Sequence, residues 1–351
     1  MPKARDQSKY HTGHDDGLAP LTPLDPSTTD SVDSLVRAMG DTAFGGRRLG
    51  EAADVLEAMV RDPNCFRVVT ISGAMTIAKQ GVLLCEMIDR GWVQAVVTTG
   101  ALMTHGLSEG AGMLHFKHRP DMSDEDLYAR GYNRVYDTIE LEKNLDDVER
   151  LLGGAIGDLP SDTVLSSRLI CERLGRQLVQ EGAGRAILKS AVERDVPVYV
   201  PAFTDSELGL DVAIHNQLRS RNGQAPFTFD PFLDLDDFAD RIRAHETLGI
   251  FTIGGGVPRN WAQQVGPYLE ILRSRIGTDE PVRRYRYAVR ICPEPEHWGG
   301  LSGCSYSEGV SWGKFVPESE GGRFAEVFAD ATIAWPLVVR AVIERFESSG
   351  D

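Results

Sequence analysis

Six short apolar runs, rich in β-branched residues, recur along this chain, and most of them lead into small or polar residues. They are Phe66–Ile71, Val93–Thr99, Val196–Val200, Gly249–Ile253, Tyr285–Ile291 and Ala325–Phe328. Continuous apolar runs of this length are the mark of strands buried on both faces. The longer amphipathic stretches between several of them suit crossover helices. The pattern predicts an α/β fold with a doubly wound, mainly parallel sheet and helices on both faces. Such sheets bind ligands outside the carboxyl ends of their strands. Here those ends are Ser72-Gly73, Thr98-Thr99-Gly100, Thr204-Asp205, Gly254-Gly255-Gly256 and Ala329-Asp330.

Length bears on domain organisation. A chain of 351 residues suits one large α/β domain or two smaller ones. Residues 1–29 are polar and rich in Pro, Asp and Thr, and read as an extended or disordered arm. His11 and His14 with Asp15 and Asp16 in that arm lack a further ligand at a metal-site spacing, and no metal is expected. The rest, 30–351, reads as a single unit. Thr29-Asp30-Ser31 suits the cap of a helix carrying Val32, Leu35, Val36 and Met39. Gly45 and Gly46 are expected to break it before a second helix carrying Ala52, Leu56, Met59 and Val60. Another helix is expected through Ile77, Val82, Leu83 and Met87. Residues 110–195 read as a mostly helical insertion with a weaker strand signal.

Charge and cysteine usage narrow the partners. A net charge of -15 argues against nucleic acid and suits cationic small molecules. The five cysteines include no C-x-x-C pair and read as reduced thiols of a cytoplasmic protein. No apolar run approaches the roughly 20 residues needed to span a bilayer, so no membrane partner is expected.

Two segments carry chemistry. In Glu308-Gly309-Val310-Ser311-Trp312-Gly313-Lys314 a lysine stands beside an aromatic ring and a carboxylate in a Gly/Ser-rich loop. Apolar walls lower a lysine's pKa and make its amine a nucleophile, while an aromatic face and a carboxylate receive an ammonium group. A turn lysine near a core tryptophan is the competing reading. Ser311 to Lys314 is formally S-x-x-K, the acyl-enzyme motif, but no Lys-Thr-Gly triplet follows. The Gly254–Gly256 turn leads through Val257-Pro258 into a helix expected from Arg259. Together with the other strand ends it suits a dinucleotide, with Asp205 or Asp330 accepting from ribose or amide, although G-x-G-x-x-G is absent.

With these motifs in view, the chain resembles the deoxyhypusine synthase family, in its divergent bacterial-type branch. The likeness runs from about Met39 to about Val342. It rests on Glu308 to Lys314, on Val327-Phe-Ala-Asp-Ala-Thr332 with Trp335-Pro336-Leu337, on Ile253-Gly-Gly-Gly-Val257, and on Val196 to Asp205. The resemblance implies NAD-dependent transfer of an aminobutyl group from a polyamine such as spermidine. The group is carried as an imine on a lysine and passes to an acceptor amine. Lys314 falls on the imine lysine, and Trp312 and Glu308 on positions lining the amine tunnel. Thr99, Gly100, Asp205, Gly255, Gly256, Ser302 and Asp330 fall where the family binds NAD. A Rossmann-like fold and a homotetramer with active sites between subunits are also implied.

The departures are specific. Asn260 stands where the family places a histidine base, and asparagine takes no proton at neutral pH. Leu210, followed by Asp211, and Leu301 occupy acidic tunnel positions. Leu102-Met103-Thr104-His105 replaces a glutamate-rich run, and Ala74-Met75-Thr76 a Thr-Ser-Asn. Substitute acid–base groups are sought among His105, His215, His297 and Asp211. Asn260 and Asp211 are carried forward as substrate-binding candidates. The leading expectation is transfer to a small amine, as in homospermidine synthesis. Modification of a protein lysine and a non-catalytic NAD-binding scaffold are the alternatives.

Overall fold

The computed structural model describes residues 4–299 and 303–350. Its main sheet has six strands: β1 (Cys65–Ile71), β2 (Ala95–Thr98), β3 (Val198–Tyr199), β4 (Thr247–Ile253), β5 (Tyr285–Ile291) and β6 (Arg323–Val327). They lie in the order β6-β5-β4-β1-β2-β3, with every neighbouring pair parallel. The chain builds outward from β1 to one edge, then returns to the centre and builds outward from β4. The crevice left by that reversal opens between the carboxyl ends of β1 and β4, where ligands of open α/β sheets bind. The two strands pair in register from Cys65 with Thr247 to Ile71 with Ile253.

Side-chain alternation along β1 explains the two layers. Cys65, Val69 and Ile71 enter one buried cluster, with Leu56, Trp335 and Val339. Phe66 and Val68 enter the other, with Phe238, Ala262, Val265 and Leu269. The expected two-faced winding is therefore present. Individual boundaries move: β3 is only Val198–Tyr199, β4 starts earlier at Thr247, and β6 starts at Arg323.

Helix α1 is Val32–Gly40, α2 Phe44–Arg61, α3 Gly81–Asp89 and α4 Gly100–Gly110. The break between α1 and α2 falls at residues 41–43, and Gly45 and Gly46 lie inside α2. Glycine has a packing role further along α2: a Cβ on Gly50 would lie 2.5 Å from the Gly40 Cα, so the absent side chain lets the two helices touch. Ile77 sits in a turn before α3 instead of within it.

The helix Ala331–Ser349 is tied to α1 and α2 by one buried arginine. Nε of Arg345 donates to Asp33 at 2.6 Å, and Nη1 to Asp54 and Glu57 at 2.8 and 2.9 Å. The region 110–195 contains the helices Glu142–Ile156, Ser167–Gln180 and Ile187–Glu193. It also holds a small antiparallel sheet of Phe116–Lys117, Thr138–Leu141 and Tyr132–Val135. That sheet is half solvated and short, which is why its strand signal is weak. The arm through Thr28 is exposed and carries three short 3-10 turns. Among the described residues no helix is long and apolar enough to cross a membrane.

Candidate active site

The backbone of Lys314 is fixed before its side chain is placed. The short helix Tyr306–Ser311 is capped by Ser305, whose hydroxyl accepts from the Glu308 N–H at 3.1 Å. Gly313 turns the chain at φ 69°, in the left-handed region that glycine adopts without strain. The Lys314 N–H then donates to the Gly309 carbonyl, and its own carbonyl accepts from the Tyr285 N–H at 2.9 Å. Next to it, Phe315 is clamped among the rings of Tyr285, Tyr306 and Phe324. Lys314 is left 7% exposed.

Its ammonium faces a neutral partner. Nζ donates to Oδ1 of Asn260 at 3.1 Å, on the second turn of the helix Gly256–Ile276. A small cavity beside it is lined by Gly256, Arg259, Asn260, Gln263, Gly303, Cys304 and Lys314. Burial is the main cause that lowers the Lys314 pKa. The Arg259 guanidinium lowers it further, while the Cys304 thiol group and Glu308 oppose the shift. Arg259 is only 2% exposed and is held by the Cys304 carbonyl at 2.6 Å. Gly303 is required here, because a Cβ would stand 1.8 Å from an Arg259 nitrogen. Arg259, Gln263 and Cys304 were not singled out in the sequence, where an arginine and a glutamine early in a helix read as surface residues.

Glu308 and Trp312 flank the lysine in the chain but do not line this cavity. Both are exposed on the single subunit, Trp312 by 63%. Asp211 lies elsewhere, on the helix Glu207–Arg221, buried and with Oδ2 lacking a hydrogen-bond partner. Burial, with Glu207 and Glu149 nearby, pushes its carboxyl up to about 7. Leu210 beside it is 54% exposed, so the helix offers an apolar side chain outward and keeps its carboxylate inward. His215 is stacked on Phe227, and His297 is exposed in the turn Glu296–Trp298.

The expected cofactor residues gather at the carboxyl edge of the sheet. Thr99 caps α4 through the Leu102 N–H and donates to the Gly73 carbonyl at 2.6 Å, joining the ends of β1 and β2. Gly100 permits the close approach of Ser206, whose Oγ would lie 2.1 Å from an added Cβ. The Ser72 hydroxyl accepts from the Gly255 N–H at 3.0 Å, closing the turn after β4. Asp205 is exposed in the turn after β3. Asp330 caps the helix Ala331–Ser349 through the Thr332 N–H at 2.8 Å. It also lines a wide cleft with Ala74, Lys79, His115, Tyr136 and Thr332. Ser302 and Leu301 lie outside the described residues.

Comparison with known proteins places the chain in a family. The deoxyhypusine synthase family model matches residues 34–342. The chain is 32% identical over 327 residues to probable deoxyhypusine synthase 2 of Methanosarcina acetivorans, covering 93% of this chain and 90% of that protein. It is 30% identical over 316 residues to the deoxyhypusine synthase-like protein of Chlorobaculum parvum, covering 89% of this chain and 86% of that one. The crystal structure of "a putative deoxyhypusine synthase" from Entamoeba histolytica shares the fold at a TM-score of 0.60 and 13% identity, over 92% of this chain and 97% of that one. The chain belongs to the deoxyhypusine synthase family, whose members are transferases of aminobutyl groups.

Proposed function

We propose that this protein moves an aminobutyl group from a polyamine donor, through an imine on Lys314, to a small acceptor amine, in an NAD-dependent reaction. The observation that carries the reading is the buried Lys314, whose hydrogen-bond partner at Nζ is the neutral amide of Asn260. A lysine in that setting reaches its unprotonated, nucleophilic form more readily than a solvated one. Nζ bonds to the carbon of the dehydrogenated donor, and the diamine leaves with a proton. The acceptor nitrogen then attacks the same carbon and releases Lys314. Asn260 orients Nζ by accepting its hydrogen and does not act as the base.

The sheet edge fits the cofactor. The helix Gly256–Ile276 starts without a side-chain cap or an acidic residue in its first turn, which leaves N–H groups for a pyrophosphate. A Cβ on Gly256 would meet nothing within 4 Å, so that turn is open. Gly255, Gly256, Thr99, Gly100, Asp205 and Asp330 would hold NAD, which when bound supplies the oxidising and reducing equivalents. Asp330→Asn keeps an oxygen to cap the Thr332 N–H but removes the charge. It is expected to weaken NAD binding by roughly 1.5–3 kcal/mol, about 10- to 100-fold by calorimetry. An unchanged Kd removes Asp330 from the site.

Two further features support the reading. Leu210 faces outward while Asp211 is withdrawn, which would leave the amine tunnel that the family implies poorer in carboxylates and less suited to the amines that acidic tunnels hold. Exposed Trp312 and Glu308 suit a homotetramer in which a second subunit completes the tunnel wall. In this reading residues 30–351 form the catalytic unit and residues 1–29 an accessory arm. The test supplies NAD and spermidine with putrescine, agmatine and a hypusine-precursor protein side by side, with products identified by mass spectrometry. Aminobutyl transfer to a small amine is expected. Transfer to the protein alone overturns the small-amine assignment, and NAD binding without any transfer identifies a scaffold.

A further inference from the structure

Three residues from separate segments converge beside the wide cleft. His105 comes from α4, His115 from the segment before Phe116, and Glu140 from the strand Thr138–Leu141. Nε2 of His115 lies 3.2 Å from Glu140 Oε1, and Nδ1 of His105 lies 2.5 Å from Oε2. One ligand atom from each residue falls within 4.8 Å of the other two. The Glu140 and His115 side chains are each 1% exposed.

The internal contacts do not complete this cluster. Despite its closeness to the carboxylate, His105 Nδ1 is a buried nitrogen with no hydrogen-bond partner, because the approach is not aligned for one. The three ligand atoms lie close enough together for one ion to reach all of them. The Glu140 carboxylate is almost wholly shielded from solvent, where an anion calls for a compensating cation.

We propose that His105 Nδ1, His115 Nε2 and the Glu140 carboxylate bind a divalent cation of the zinc class. Two imidazoles and a carboxylate are a donor set that suits borderline metals, zinc first. Three protein ligands leave a further position for water or another nitrogen or oxygen donor. No metal is expected from the sequence, because the ligands follow none of the recognisable spacings.

Lys79 makes the proposal sharp. Its Nζ lies 2.6 Å from His115 Nδ1, so in the metal-free arrangement the ammonium donates and Nδ1 accepts. With Nε2 on a cation, Nδ1 of the neutral ring carries the hydrogen instead. Lys79 must then turn away, and Glu109 at 3.5 Å already offers it a carboxylate. The amide of a Lys79→Gln variant can accept from Nδ1–H and brings no competing charge. That substitution is expected to tighten metal binding.

The experiment strips the full-length protein with a chelator and titrates it with Co²⁺, read by the visible d–d bands of low-coordinate cobalt, with Zn²⁺ as competitor. One Co²⁺ per chain, displaced by Zn²⁺, is expected. Glu140→Gln and His115→Ala should each weaken binding by at least about 100-fold, and Lys79→Gln should tighten it by about tenfold. Circular dichroism melts establish that each variant is folded, and Lys79→Gln changes only a partly exposed side chain. Absence of the cobalt spectrum at stoichiometric loading overturns the proposal. So does a spectrum that survives in Glu140→Gln, which would place the metal at other histidines or thiols. Weaker binding in Lys79→Gln overturns it as well.

Discussion

Lys314→Ala is expected to abolish turnover and, with it, the trapping of substrate by borohydride. In the proposed reaction the imine joins substrate carbon to Nζ, so reduction during turnover should leave an aminobutyl group on Lys314 and on no other lysine. Loss of a covalent nucleophile should cost on the order of 10⁴-fold in kcat or more. Lys314→Arg is the stricter variant, because it keeps the positive charge beside Asn260 while removing the amine that forms the imine. Trapping in the parent protein should rise with pH as Nζ loses its proton. Because burial depresses the Lys314 pKa, the plateau should come below the pH at which a solvated lysine, with a pKa of about 10.4, titrates. Trapping on a different lysine, or full activity in Lys314→Arg, removes Lys314 from the reaction.

The second large effect is on stability. Asp211 carries a folded-state pKa of about 7, against 3.8 as its ordinary value. A carboxyl whose pKa is raised by folding binds its proton more tightly in the folded chain. Its favourable contribution is complete below the unfolded pKa and is lost as pH rises through the folded one. From about pH 4 to about pH 7 the protein should therefore lose stability through this group, by at most about 4 kcal/mol. Asp211→Asn has no charge to bury. Its melting temperature should match that of the parent near pH 4 and exceed it increasingly up to pH 7, with the difference constant above pH 8. A difference that does not change with pH shows that the carboxyl is not buried as an acid. Placing a substrate ammonium against Asp211 would reverse the sign at high pH, so the same melts with a polyamine present test its candidacy as a binding residue.

The parts of this fold that were legible in the sequence are those whose signal is local. The apolar runs β1 and β5 are buried on both faces and were visible as runs. Lys314 was visible because a lysine, a tryptophan and glycines share one short loop. Strand order was not. It depends on pairs such as Val68 with Ile250, brought together by the whole intervening chain. Ser72, at the end of β1, closes the turn after β4 by a side-chain contact that no local pattern signals. Arg259 is not legible in the sequence, because nothing local distinguishes an arginine on a helix surface from one folded back over Tyr306. His115 and Glu140 are illegible for the same reason, since only tertiary structure sets them beside His105. The α1–α2 break was misplaced because glycine signals both a turn and a close helix contact, and here the contact governs.

The Arg345 clasp sets a timetable for the nascent chain. Asp54 and Arg345 are separated by 291 residues. At roughly 5–20 residues per second, the arginine leaves the ribosome about 15–60 s after the aspartate. Throughout that interval Asp33, Asp54 and Glu57 repel one another without their shared cation, while α1 and α2 already carry the apolar face meant for the last helix. A chain halted before Arg345 would hold three clustered carboxylates beside an uncovered core. Quality control would meet α1 and α2 as the weak part of the molecule, although the residue that secures them is made 291 residues after Asp54.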